Sequence, residues 1–247
     1  MGNKKEDIKL EGLVIRKVAC KENDAMITIL GKDGIFSFYA RGVNKISSKN
    51  IASCSLLSYS SFVLTSQVGN KLVLKESNFK KSYLNDSSYS SLSVANFLLE
   101  LVSKGLDEDR KEDAIVIYPY LLLALEELDR SKFPLSLALS FFIKFLESLG
   151  IGLNLNNCVR CGKKEGIVGV SYDDGGFICK DCLTLNDHKL NVETLKFIHY
   201  VSISNIDNIF KIPPLENGVY PVLEGLKKFL FDETGIEIKS LKLLKAI

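Results

Sequence analysis

Over its first third the chain offers short runs in which apolar and polar positions alternate, and no long helical pattern interrupts them. Five such runs, at 9–20, 24–30, 34–40, 54–65 and 71–79, read as β-strands. Gly31, Lys32, Asp33 and Gly34 make a compact hairpin turn between the second and third, and Val43 to Ile51 leaves room only for a short helical connection. Five short strands in about 75 residues predict a small barrel, and the OB-fold is one such barrel that binds oligonucleotides.

After Asn85 and Asp86 the spacing becomes helical, with Leu92, Ala95, Leu98, Leu99 and Val102 on one face. Further helices are predicted near 110–130, 133–149, 192–204 and 218–232. Pro134 suits a first helical turn, whereas Pro119 should kink or divide the second helix. The acidic run Asp107, Glu108, Asp109, Glu112 and Asp113 reads as a solvated helix start. Lys144 and Glu147 interrupt the apolar run that begins at Phe133, so it reads as a buried helix of a soluble bundle. The charge-free run from Asn50 to Asn70 holds six Ser with Thr65, Gln67 and Asn70, which excludes a membrane helix. The predicted class is α+β: a five-stranded barrel over 1–82, then a helical domain over 83–247.

Inserted between the third and fourth helices, at 154–186, lies CVRCGKKEGIVGVSYDDGGFICKDC, two Cys-x-x-Cys pairs seventeen residues apart. Thiolates two residues apart in a tight turn bite one metal ion, and Cys158, Cys161, Cys179 and Cys182 together supply a tetrahedral four-sulfur shell. Gly162 stands where such a knuckle needs positive φ, and Asp173 to Gly176 mark the turn of a two-stranded ribbon. Four thiolates close the shell, so the reading is one structural Zn2+ per chain; a catalytic metal would keep a position open. Disulfides or redox pairs are the alternatives. The opening MGNKKEDIKLEG lacks the apolar core of a signal peptide, which points to a cytoplasmic product with reduced thiols. His188 and His199 read as surface or helix-face residues, and Cys20 and Cys54 as small core residues.

The net charge of only +2 over 247 residues conceals an uneven distribution. Residues 1–85 hold 14 Lys and Arg against 7 Asp and Glu, residues 86–157 hold 6 against 11, and residues 158–247 hold 12 of each. The basic excess falls on the predicted barrel, where Arg16, Lys17, Arg41, Lys45, Lys49, Lys71 and Lys75 accompany Phe36, Phe38, Tyr39, Tyr59 and Phe62. Cations that track phosphates and rings that stack on bases are what a single-strand groove needs, although alternation commits about half of the rings to the barrel core. Lys71 and Lys75 share strand parity and predict a basic stripe. No phosphate loop, catalytic triad or carboxylate pair is present, so the chain reads as a binding protein and not an enzyme. An RNA-binding zinc-ribbon protein and a zinc-dependent hydrolase are the competing classes.

The stretch ARGVNKISSKN, from Ala40 to Asn50, at the end of a small β-domain and followed by helices around a CVRCG to CKDC ribbon, resembles the RecO family of bacterial DNA-repair proteins. The resemblance covers nearly the whole chain in order. It implies a recombination mediator, nucleoid-associated in the bacterial cytoplasm, that binds single- and double-stranded DNA and anneals complementary strands. It further implies action with RecR and the single-stranded-DNA-binding protein to load the RecA recombinase. By residue it carries Arg41, Lys45 and Lys49 into DNA contact and the four ribbon cysteines into zinc binding. It also implies a docking site for the acidic, aromatic-ended tail of the single-stranded-DNA-binding protein. The apolar stripe Val219, Val222, Leu223, Leu226 and Leu230, rimmed by Lys227, Lys228 and Lys196, is the expected place.

Overall fold

The computed structural model describes residues 7–67, 71–84 and 87–247. The opening MGNKKE, Asn70 and the predicted boundary at Asn85 and Asp86 lie outside the described residues. Contacts divide the chain into two units: the barrel together with residues 102–118, and residues 87–101 together with 119–247.

Strands β1 (Asp7–Ala19), β2 (Ala25–Gly31), β3 (Gly34–Ala40), β4 (Ser58–Gln67) and β5 (Lys71–Ser82) close in the order β1-β2-β3-β5-β4. The hairpins are antiparallel, β1 closes on β4 from Asp7↔Thr65 to Leu13↔Tyr59, and β3 meets β5 in parallel at Tyr39↔Val73. This is a closed five-stranded barrel, the architecture expected from the strand spacing, and its order is that of an OB-fold. Alternation sends Ile27 and Ile29 of β2, Phe38 of β3, and Phe62 and Leu64 of β4 into one core. The Phe38 and Phe62 rings sit 5.0 Å apart. Where β1 and β2 meet at the barrel corner, a Cβ on Gly12 would lie 2.6 Å from the Leu30 carbonyl oxygen, and one on Gly31 2.3 Å from that of Glu11. Only glycine allows this approach.

In the second unit α3 (Pro134–Ser148) is the central helix, buried from Ser136 to Leu146. It packs against α4 (Val192–Ile203) and α5 (Val219–Thr234). Lys144 is buried among these helices because Glu147 Oε2 at 2.8 Å and the Ser202 carbonyl at 2.7 Å receive its amine. Asn191 caps α4 by accepting the Thr194 N–H at 2.7 Å. The two remaining long helices are α1 (Tyr89–Gly105) and α2 (Lys111–Leu128). α2 runs on through Pro119 and is not divided there. Pro119 and Ile115 are both exposed, so the carbonyl that loses its N–H partner can turn to water. Among the described residues no helix is long and apolar enough to cross a membrane.

Between α3 and α4 the insertion forms a small sheet in the order β7-β6-β8, from β6 (Ile167–Ser171), β7 (Gly176–Cys179) and β8 (His188–Lys189). Tyr172, 5% exposed, follows β6 and packs on α5 where Gly225 leaves the space for its ring. The ribbon is thereby fastened to the helices it interrupts.

Candidate functional site

Two tight turns build the cysteine cluster. In the first, the Gly162 N–H donates to the Cys158 carbonyl at 2.8 Å and Gly162 adopts φ 76°, the conformation predicted for it. In the second, the Cys182 N–H donates to the Cys179 carbonyl at 3.1 Å. The ligand atoms of Cys158, Cys161, Cys179 and Cys182 all lie within 4.8 Å of one another, and the sulfurs of Cys161 and Cys179 are 3.6 Å apart. A tetrahedral shell with metal–sulfur bonds of about 2.3 Å needs sulfurs about 3.8 Å apart, whereas a disulfide needs about 2.05 Å. None of the six cysteines forms a disulfide.

The donor set favours a cation. Burial alone would raise the Cys158 pKa, but backbone N–H groups of Cys179, Cys161 and Arg160 stabilise its thiolate and bring it down to about 6. Cys182 is pushed up to about 12, chiefly by its contact with Cys161 and then by burial. Four crowded sulfurs cannot all ionise unless a positive ion lies among them, and the geometry fits one.

Arg160, inside the first Cys-x-x-Cys, locks the two turns together. Its guanidinium grips buried Asp187 at 2.7 and 2.9 Å, reaches Asp174 at 2.8 Å and donates to the Cys182 carbonyl at 2.6 Å. Burial works against the Asp187 carboxylate, yet Arg160 and Thr184 hold its pKa at about 2. His188 edges against Tyr172 with centroids 5.1 Å apart, and His199 Nδ1 sits 2.7 Å from the Leu155 carbonyl. Both histidines are committed away from the cluster, as expected.

On the barrel the seven predicted cations do not form one surface. Arg41, Lys45 and Lys49 stand exposed on the connection that follows β3. Among the described residues neither Lys45 nor Lys49 pairs with a carboxylate. Arg16 lies across from Thr28 and lines a hollow of about 420 Å³ with Ser37, Asp107, Glu108 and Asp109. The acidic run is thus more than a solvated helix start, since Glu108 accepts the Ser37 N–H at 3.1 Å. Lys17 pairs with inward-facing Ile27 and is half-buried, with its charge felt by buried Cys54.

The expected Lys71 and Lys75 stripe is broken. Lys71 is exposed at the start of β5, but the register slips between Leu64↔Leu74 and Val63↔Glu76, so Lys75 is the bulged residue. Its amine is held by Asp7 at 2.7 Å. Of the five rings, Phe38 and Phe62 are fully buried, Phe36 packs on the core, Tyr39 donates to Asp24 and Tyr59 shares a hydrogen bond with Tyr118 at 3.0 Å. Among the described barrel residues the exposed ring is Phe79 of β5, which lies in a predicted strand but was not among the rings expected to stack. Cys20, expected in the core, is exposed at the end of β1, while Cys54 is buried as expected.

Sequence reasoning also missed what organises the basic connection. The Asp24 carboxylate, in the turn between β1 and β2, accepts the Tyr39 hydroxyl and the Gly42 N–H, the latter at 2.7 Å. These two donors hold its pKa below the ordinary aspartate value. Lys21 and Arg41 both bear on this carboxylate, so Lys21 joins the cationic end of the barrel although twenty residues separate the two in sequence.

The predicted partner surface on α5 is a correction. Val219, Val222, Leu223, Leu226 and Leu230 are all buried in the core of their own unit, and Lys228 is paired with Asp173 at 2.6 Å and Asp232 at 3.3 Å. Lys227 is half-buried. The helical stripe is core because α5 packs directly on α3. Lys196 differs: it lines an open hollow of about 490 Å³ with Phe197, Tyr200, Pro213 and Pro214.

Comparison with known proteins agrees with this architecture. Residues 5–83 match the family model for the recombination protein O N terminal, and residues 86–242 match that for the recombination protein O C terminal. A DNA repair protein RecO of Bacillus pumilus is 26% identical over 244 residues, covering 96% of this chain and 93% of the relative. One of Dehalococcoides mccartyi is 31% identical over 216 residues, covering 85% and 83%. One of Alkaliphilus metalliredigens is 28% identical over 250 residues, covering 97% and 99%. Matched in order through its barrel, its helices and its inserted ribbon, the chain belongs to the RecO family of DNA repair proteins.

Proposed function

We propose that this chain is a non-enzymatic mediator of recombinational repair that binds single- and double-stranded DNA through the loop end of its barrel and anneals complementary strands. The carrying observation is the presentation of Arg41, Lys45 and Lys49 on a connection anchored to the barrel, with the two lysines free of carboxylate partners among the described residues. Unpaired exposed cations give up little when they meet phosphate, and they release its counterions. The four-thiolate cluster is assigned to one structural Zn2+, which supplies folding energy and leaves no position open for substrate. That closed shell disfavours a zinc hydrolase.

The resemblance adds partners. The mediator acts in the bacterial cytoplasm, at the nucleoid, with RecR and the single-stranded-DNA-binding protein to load RecA. For the acidic, aromatic-ended tail of the single-stranded-DNA-binding protein, the hollow beside Lys196 now replaces the buried α5 stripe: it offers a cation with Tyr200, Phe197 and two prolines. Titration of a labelled tail peptide should show weaker binding to Lys196→Ala and unchanged binding to Lys227→Ala.

The test of the main reading is annealing of complementary oligonucleotides coated with single-stranded-DNA-binding protein. The chain should accelerate duplex formation in proportion to its concentration. No acceleration, or a preference for RNA strands over DNA, would favour the RNA-binding alternative or remove the annealing role.

A further inference from the structure

Resting on the DNA-binding reading, we infer that Ile46 is an apolar wedge that inserts between neighbouring nucleobases while the lysines on either side of it hold the phosphates. Ile46 is 100% exposed, whereas most other exposed large apolar side chains of the chain retain partial cover. It stands between Lys45 and Lys49 with Ser47 and Ser48, in a stretch whose other side chains are polar or charged. An isolated exposed Ile needs no explanation; one flanked by cations that have no carboxylate partner among the described residues, at the end of an oligonucleotide-binding type of barrel, faces a ligand that is both charged and apolar. Nucleic acid is that ligand, and Ile is among the side chains that part stacked bases.

The tip is also held in place on both sides. Before it, the Asn44 N–H donates to the Asn23 carbonyl at 2.9 Å, the Gly42 N–H to Asp24 at 2.7 Å, and Val43 is fully buried. Across it, the Ser48 N–H donates to the Lys45 carbonyl at 2.8 Å. After it, Asn50 accepts from Ser77 of β5 at 2.8 Å, and the Cys54 N–H closes on the Asn50 carbonyl at 3.0 Å. Val43 and Cys54 both sit in the barrel core. A projecting side chain on a stapled loop gives up little conformational freedom when it inserts, which is what a wedge requires.

The test uses the full chain and a single-stranded DNA oligonucleotide carrying one 2-aminopurine, whose fluorescence rises when it is unstacked. Wild type should bind and brighten the probe. Ile46→Ser should bind about tenfold more weakly, as loss of a partly buried Ile implies, with little brightening and an unchanged salt slope. Ile46→Leu should behave as wild type, and because the side chain is fully exposed, neither variant should change the melting temperature. Wild-type binding with identical brightening by Ile46→Ser overturns the wedge and leaves the DNA reading standing. Equal loss in Ile46→Leu and Ile46→Ser overturns it too, since a wedge tolerates another branched apolar group. Failure of wild type to bind DNA at any salt concentration overturns both readings.

Discussion

Replacing Gly225 by Ala should destabilise the helical unit, and removing the Tyr172 ring should reverse the sign of that effect. A Cβ at position 225 would lie 2.0 Å from two ring carbons of Tyr172 and 2.5 Å from its hydroxyl oxygen. Carbons in contact sit about 3.5–4.0 Å apart, so the ring must move by about 1.5 Å. It has nowhere to go. Ile143, Leu155, Val170, Ile198, Val222 and Leu226 enclose it, and the hollow left among them is only about 10 Å³. The cost therefore lies near the upper end for overpacking, about 3 kcal/mol. Alanine returns about 1 kcal/mol through helix propensity, leaving a net loss of about 2 kcal/mol. For a unit of this size that lowers the melting temperature by about 4–8 °C. In a Tyr172→Ala background the clash is gone and only the helix gain remains, so Gly225→Ala should stabilise by about 1 kcal/mol. Thermal unfolding of the four proteins of this cycle, followed by circular dichroism, measures both signs. Additive effects in the two backgrounds would refute the packing of the ribbon on α5.

Two further outcomes follow from the cluster and the loop. Purified reduced protein should carry one zinc per chain, and Cys158→Ser should abolish it and lower the melting temperature by more than about 10 °C while leaving the salt slope of DNA binding unchanged. Metal analysis of reduced, chelator-free protein that finds no zinc removes the structural assignment. Asp24, whose carboxylate accepts from Tyr39 and Gly42, should titrate below the ordinary aspartate value in a carbon-13 NMR titration. Because its folded pKa is depressed, the stability it lends the basic connection is fully present above the unfolded value of 3.8 and is lost as pH falls through the folded one. An Asp24 that titrates at or above 3.8 contradicts the anchor.

The parts of this chain that were legible in its sequence are those with local causes. Alternation placed all five barrel strands close to their observed positions, and the knuckle spacing located a cluster whose four sulfurs the fold then gathers. What escaped depends on partners distant in sequence. Whether Lys75 is a free cation depends on Asp7 across the barrel and on a bulge in β5, and neither has a local signature. The α5 stripe shows the same limit: amphipathic spacing marks an apolar face, but only the packing on α3 shows that the face is already covered. Arg160 was visible between two cysteines, yet its role follows from Asp187, twenty-seven residues on. Pro119 warned of a break that the exposed positions of Ile115 and Pro119 make unnecessary.

The central claim, that the anchored basic connection of the barrel is the DNA surface, is tested most directly by the salt dependence of binding to a single-stranded oligonucleotide. The logarithm of the affinity should fall linearly with the logarithm of salt concentration for wild type. In Arg41→Ala/Lys45→Ala/Lys49→Ala the slope should shrink by about 2, since each phosphate contact on a single strand contributes about 0.7. A triple variant that remains folded, binds as tightly as wild type and keeps the same slope would show that the DNA lies elsewhere on the protein.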